Sequence, residues 1–123
     1  MRDSPNLRRA SEARGRAAEA RAEAALTAEG FATLARRART AVGEIDLVVE
    51  RQGLLVFVEV KARATLKEAA FALGARQQAR LLAAGEAWMA VNPGHGETGV
   101  RFDVLLVDAE GRVRRVADAL RQG

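Results

Sequence analysis

The chain has no cysteine and no tyrosine, a single histidine, two prolines and only 4% aromatic residues. Without cysteine there is neither a disulfide framework nor a thiolate metal site. His95 stands among glycines in NPGHGETG with no second His or Cys to share a metal, so it reads as a surface-loop residue. So few aromatics leave the core resting on Phe31, Leu34, Phe57, Phe71, Trp88 and Phe102 together with Val- and Leu-rich strands. Long apolar runs are missing too. The longest, Leu54 to Val58, falls far short of the ~20 residues that span a bilayer. The opening stretch MRDSPNLRRASEARG has no apolar h-region. The expectation is a cytoplasmic protein without a membrane partner. Lysine is scarce as well, with 2 against 18 arginines. A lysine at position 61 in so arginine-rich a chain marks a place where a compact ammonium is wanted.

The net charge is +4. Arginine presents a fork of donors that matches phosphate oxygens, and a basic surface attracts nucleic acid whatever its sequence. Arg- and Ala-rich composition also follows from GC-rich coding, so basicity alone leaves both readings open. With 123 residues the chain is one domain, long enough to bury roughly two-thirds of its unfolded surface. That domain is expected over residues 6–123, after a disordered stretch at 1–5.

Residues 6–29 read as an Ala-rich helix, with Ala17, Ala20, Ala24 and Ala28 as its packing stripe and Glu19 in its middle. Gly30 ends that helix, and Phe31 to Thr40 forms the first strand, carrying Arg36, Arg37 and Arg39. Residues 64–91 are helical in two pieces parted near Gly74. In the second piece Leu81, Leu82, Gly85, Trp88 and Met89 recur at helical spacing and face the sheet. Arg76, Gln77, Gln78 and Arg80 open that piece, where a helix N-terminus favours anions. Val100 to Val107 is a further strand, with Asp103 as a structural residue, and Val113 to Val116 is a short edge strand. The Gly94-x-Gly96 pair lacks a preceding strand and a following helix, so it is no phosphate loop.

Between these lies the stretch GEIDLVVERQGLLVFVEVKAR, Gly43 to Arg63. It reads as a β-hairpin, Glu44–Arg51 and Leu54–Lys61, closed by Gln52-Gly53, whose glycine suits a tight two-residue turn. Counting outward from Arg51 opposite Leu54 puts Asp46 opposite Glu59 and Glu44 opposite Lys61. Strict alternation then places Glu44, Asp46, Glu59 and Lys61 on one face and Ile45, Leu47, Val49, Val56, Val58 and Val60 on the other. Carboxylates facing each other across a strand pair repel. A hard divalent cation between them relieves the repulsion, and Mg²⁺ commonly takes one or two carboxylates plus water and phosphate. The plainer alternative is a solvated face with Glu44–Lys61 and Asp46–Arg63 ion pairs. Glu19, in mid-helix, reads from the residues alone as the ion-pair partner of Arg14 or Arg16.

An Asp on one strand followed by Glu-x-Lys on the next resembles the PD-(D/E)XK nuclease superfamily. More closely, GEIDL at 43–47 and VFVEVKAR at 56–63 resemble the uncharacterised bacterial YraN-like proteins, which are grouped with predicted endonucleases similar to archaeal Holliday junction resolvases. Gly15-x-x-x-Glu19, Gly30-Phe31 with Arg36 and Arg39, Arg76-x-Gln78-Ala-Arg80-Leu81 and Arg101-Phe-Asp-Val104 extend the resemblance over residues 15–108. It implies an α/β fold with a restriction-endonuclease-like core: helix, three-stranded antiparallel meander, helix, strand, in a mixed sheet with flanking helices. It implies Asp46 and Glu59 as ligands of Mg²⁺ or Mn²⁺, with Val60 as a third through its carbonyl. Lys61 becomes the catalytic lysine and Glu19 an additional acid. From their place near the hairpin and the helix start, and not from the resemblance, Arg36, Arg37, Arg63 and Arg76 are candidate contacts to nucleic acid, DNA in preference to RNA; pairing of resolvase-like relatives implies a homodimer. Two positions depart from the family pattern: Arg37 replaces a usual Asn, and Gln77 replaces a usual Lys. The function expected is hydrolysis of phosphodiester bonds, branched DNA included. The alternatives are a non-catalytic nucleic-acid-binding module that keeps the fold, or a protein-interaction adaptor.

Overall fold

The computed structural model describes residues 5–65 and 74–117. Helix α1 spans Pro5–Ala28, followed by strands β1 (Ala32–Thr40), β2 (Gly43–Arg51) and β3 (Leu54–Ala62). Helix α2 (Ala75–Val91), β4 (Gly99–Val107) and β5 (Val113–Val116) complete the described elements. They form a five-stranded sheet in the order β1-β2-β3-β4-β5. Pairing is antiparallel except between β3 and β4, which are parallel. Parallel neighbours need a crossover, and α2 lies on that connection. The mixed α/β architecture is the one expected, with a helix on each face. Among the described residues no helix is long and apolar enough to cross a membrane.

Helix α1 stops where the sequence says it should. Gly30 has φ 92, and the N–H groups of Gly30 and Phe31 donate to the carbonyls of Thr27 and Leu26. This is the pattern that closes a helix on a left-handed glycine. Its packing stripe is not the expected one. Ala18, Ala22 and Leu26 are buried, whereas Ala17, Ala20, Ala24 and Ala28 are exposed. Leu26 carries far more apolar surface than any alanine, so its position sets the rotation of the helix.

One face of the sheet packs Leu47, Val49, Val56, Val58 and Leu105 against Ala22, Leu26 and Phe31. The opposite face packs Ile45, Val48, Leu55 and Phe57 against Leu81, Ala84 and Trp88 of α2. Phe57 sits in an edge-on ring contact with Trp88, centroids 5.7 Å apart, and 5.2 Å from Phe102. A Cβ on Gly85 would lie 2.7 Å from the Phe102 ring, so α2 seats this closely only because that position has no side chain. Leu34 departs from its expected core role and is 37% exposed. The β1–β2 register shifts between Thr33 and Ala35, and the extra residue is turned out of the ladder. Phe71 and the first piece of the expected 64–91 helix lie outside the described residues, as do residues 1–4; Pro5 already belongs to α1.

The hairpin turn is as expected. Gln52 and Gly53 both take positive φ, 50 and 82, and Arg51 pairs with Leu54. The strict alternation fails at one place. Ile45 shares a core with Val48 and Phe57, not with Leu47 and Val49. The switch falls at Asp46, between the pairs Arg36↔Leu47 and Ala38↔Ile45, where Arg37 has φ 47. Both strands bend there, and Asp46 is the residue at the bend.

Candidate functional site

β2 and β3 pair without interruption from Arg51↔Leu54 to Leu47↔Val58. The continuation to Asp46 opposite Glu59 and Glu44 opposite Lys61 does not form. Instead the Asp46 carboxylate enters the gap, and its Oδ2 accepts the Val60 N–H at 2.8 Å. The strands part at the bend, and a side chain supplies the acceptor that the backbone no longer offers.

Asp46, Glu59, Val60 and Lys61 line one open cavity of about 940 Å³, between α1 and the turn that joins β4 to β5. Lys61 Nζ lies 3.2 Å from Glu59 Oε1, and both side chains are only 11% exposed. The same oxygen accepts from Gln77 Nε2 at 2.8 Å. Glu59 is thus held by a cation from its own strand and an amide from α2. Asp46 Oδ1 and Glu59 Oε2 carry no hydrogen bond among the described residues. A second, small cavity of about 70 Å³ opens on the α2 side, lined by Glu44, Asp46, Glu59, Gln77 and Arg80. The parted strands therefore leave the two acids reachable from both faces of the sheet.

Burial, then the nearby Glu59 charge and more weakly Glu19, push the Asp46 carboxyl up to about 7, against the pull of the Val60 N–H and of Lys61. Loss of solvent is the larger cause and the second carboxylate adds to it, outweighing the Val60 N–H and Lys61. Among the described residues no three or more His, Cys, Asp or Glu side chains gather to hold a metal ion. A pair of carboxylates, each with one oxygen without a hydrogen-bond partner, still suits a hard cation that completes its shell with water and substrate oxygens.

The other expected site residues divide. Glu19 lines the same cavity and accepts from Arg37 Nε with both oxygens, each at 3.1 Å. Arg36 is bound to Glu23 through Nε and Nη2 at 2.8 and 2.6 Å, and Thr33 donates to the same carboxylate at 2.8 Å. Arg36 and Arg37 thus tie β1 to α1. Arg63 is exposed and lines the cavity, whereas Arg76 is exposed and lines neither cavity. The ion pairs Glu44–Lys61 and Asp46–Arg63 do not form; Glu44 lies 3.8 Å from Arg39. Asp103 is structural as expected: it is fully buried and receives two bonds from Arg101 at 2.9 Å. His95 is pinned rather than idle, with Nδ1 3.0 Å from Glu50, which also accepts the Gly96 N–H.

Three contributors escaped the sequence reading. Gln77 registered there as part of an anion-favouring helix start and as a departure from a pattern, yet it holds Glu59. Arg14 and Arg21 of α1 line the cavity. So does the turn Asp108–Gly111, shaped by Asp108 Oδ1 accepting the N–H groups of Glu110 and Arg112 at 3.0 and 2.9 Å. An Asp followed two residues later by Glu-Gly signals such a turn, but nothing local says which cavity it walls.

Comparison with known proteins gives the same frame. The model of Uncharacterised protein family UPF0102 matches residues 18–107. A UPF0102 protein of Granulibacter bethesdensis is 54% identical over 107 residues, 87% of this chain and 68% of its own length. Another, from Rhodopseudomonas palustris, is 55% identical over 93 residues, covering 76% of this chain and 71% of the relative. One from Bradyrhizobium diazoefficiens is 48% identical over 105 residues, 85% and 79% of the two chains. The match takes in the C-terminal part of α1, the parted hairpin, α2 and β4, and so the chain belongs to the uncharacterised, YraN-like family UPF0102.

Proposed function

We propose that this protein is a metal-dependent, nuclease-type phosphodiesterase that acts on nucleic acid, DNA in preference to RNA, in the cytoplasm. One observation carries the reading: Asp46, Glu59 and Lys61 converge in a single open cavity at the point where β2 and β3 part. Asp46, steadied by the Val60 N–H, and Glu59, steadied by Gln77 and Lys61, would hold Mg²⁺ or Mn²⁺, with Val60 alongside. Such a cation polarises a phosphoryl oxygen and makes bound water a better nucleophile. Lys61 orients the attacking water or offsets charge that builds on the phosphate. Glu19 adds negative potential on the far wall, moderated by Arg37, and Arg63 stands at the rim where a phosphate would pass.

Incubating the purified protein with branched and linear DNA plus Mn²⁺ tests this. Cleavage by wild type that is lost in Asp46→Ala supports the reading, and equal residual activity in the two proteins defeats it. A non-catalytic nucleic-acid-binding module is the second reading. It is favoured by the pairing of Glu19 with Arg37, which leaves two acids rather than three to meet a cation. That reading predicts salt-sensitive binding that neither EDTA nor Lys61→Ala alters.

A further inference from the structure

Arg37 holds a backbone conformation that its side chain does not favour. Its φ is 47, and among the described residues the only other non-glycine with a positive φ is Gln52 in the hairpin turn. A long side chain in the left-handed region is uncommon, and such outliers collect at functional sites. Arg37 falls between the pairs Arg36↔Leu47 and Ala38↔Ile45, which sets it across the strand pair from Asp46. Its guanidinium nevertheless goes to α1, where Nε lies 3.1 Å from both oxygens of Glu19.

Glu19 belongs to the acid site by position. It lines the cavity with Asp46 and Glu59, and its side chain is 19% exposed. After burial and the Glu59 charge, the charge of Glu19 helps to raise the Asp46 carboxyl. Glu19, and more weakly Glu44 and Asp46, favour the charged form of Arg37. The adjacent pair differs in one respect. Arg36 binds Glu23 at 2.6 Å, and Glu23 lines neither cavity. Two successive arginines of β1 thus each take one carboxylate of α1, and only the one taken by Arg37 shares the cavity of the acids.

We infer that Arg37 is a positioning residue that withholds Glu19 from the cation, so that the site offers two carboxylates, Asp46 and Glu59, where three line the cavity. The number of charged ligands sets how tightly oxygen donors hold a hard cation. With Glu19 committed to Arg37, the protein alone binds its cation loosely. The remaining places in the shell fall to water and to substrate oxygens, the usual arrangement for Mg²⁺. The left-handed backbone at Arg37 belongs to this device, because the bend at Asp46 is where β1 sends its arginine to α1.

The inference rests on the cation-binding reading above, and the test separates the two. Mn²⁺ is titrated into chelator-treated, dialysed protein without nucleic acid, and the free ion is followed by its electron paramagnetic resonance signal. Wild type should bind weakly. Arg37→Asn releases Glu19 and keeps the bend, since asparagine tolerates the left-handed conformation. Its Kd should fall by about tenfold or more, the scale on which partners of metal ligands change affinity. Arg36→Gln removes the same charge one residue away and frees Glu23 instead, so its Kd should match wild type. Arg37→Asn/Glu19→Gln should return to the wild-type value, because the released carboxylate is gone. Thermal melts without Mn²⁺ establish that each variant is folded, and Arg37→Gly, which takes positive φ freely, carries the comparison if the asparagine variant is not. Binding detected in Arg37→Asn alone also supports the inference. Equal Kd in wild type and Arg37→Asn overturns it and leaves the two-acid cation site standing. Equal tightening in Arg36→Gln, or tightening that survives the loss of Glu19, overturns it too, since the effect then does not run through Glu19. Mn²⁺ that binds neither wild type nor Arg37→Asn overturns the cation reading, and this inference with it.

Discussion

Replacing Asp46 with asparagine should make the metal-free protein more stable above neutral pH. Asparagine keeps an oxygen that can accept the Val60 N–H, now made at 2.8 Å, and removes only the charge. Burial and the neighbouring Glu59 raise the carboxyl from 3.8 to about 7. Because the folded value lies above the unfolded one, the native state keeps this proton through a window in which the unfolded chain has released it. Stability therefore falls as pH climbs from about 4 to about 7, and it stays at the lower level beyond. A difference of that size corresponds to about 4 kcal/mol at most. Partial exposure of Asp46 and the nearby Lys61 screen the charge, leaving about 1–2 kcal/mol. For a chain of this length that is a rise in Tm of roughly 5 °C for Asp46→Asn at pH 8. At pH 5 the native carboxyl is still protonated while the unfolded one has begun to ionise, so only about a third of the effect is present and the gain should be correspondingly smaller. The assay is a thermal melt in EDTA at both pH values. A variant less stable than wild type at pH 8, or one equally stabilised at pH 5 and pH 8, refutes the reasoning. Millimolar Mn²⁺ should reverse the order by stabilising the wild type alone, since a ligand that binds only the native state raises its stability.

Two further perturbations probe the frame around the site. Gly85→Ala places a methyl 2.7 Å from the Phe102 ring and 3.1 Å from Phe57, so α2 must shift off the sheet. Urea unfolding should show a loss of about 1–3 kcal/mol, and an unchanged midpoint would mean that helix and sheet are not so closely seated. Glu50→Ala removes the acceptor for both the Gly96 N–H and His95. Amide exchange over residues 92–98 should quicken while the core strands keep their protection; uniform exchange across both would show that Glu50 does not anchor this loop.

Residue types and spacing were enough to define much of the fold. Gly30 and Gln52-Gly53 punctuate the chain because a left-handed backbone is cheap there, and Arg51 opposite Leu54 follows from a two-residue turn by counting. The apolar spacing of Leu81, Gly85 and Trp88 told which side of α2 meets the sheet. The acids at 46 and 59 and the lysine at 61 stood out as charges in strands otherwise built of Val and Leu. The rest depended on contacts between distant segments. Ala18 and Ala22, not Ala17 and Ala20, face the core because Leu26 must be buried, a choice no alanine pattern records. The bend at Asp46 and Arg37 carries Ile45 to the α2 side and defeats strict alternation. Gln77 and Glu59 are 18 residues apart and meet through α2 lying on the sheet.

The sequence by itself determined the order of helices and strands, the hairpin and the identity of its acids, since these depend on local backbone preference and on period-two and helical patterning. Tertiary packing alone decided that β2 and β3 part at Asp46, that Gln77 and Lys61 share one Glu59 oxygen, and that α1 turns Arg14 and Arg21 toward the same cavity. The physical reason is that side-chain direction at a bend, and the rotation of a helix about its axis, are fixed by which large groups are buried together, and those groups lie far apart along the chain.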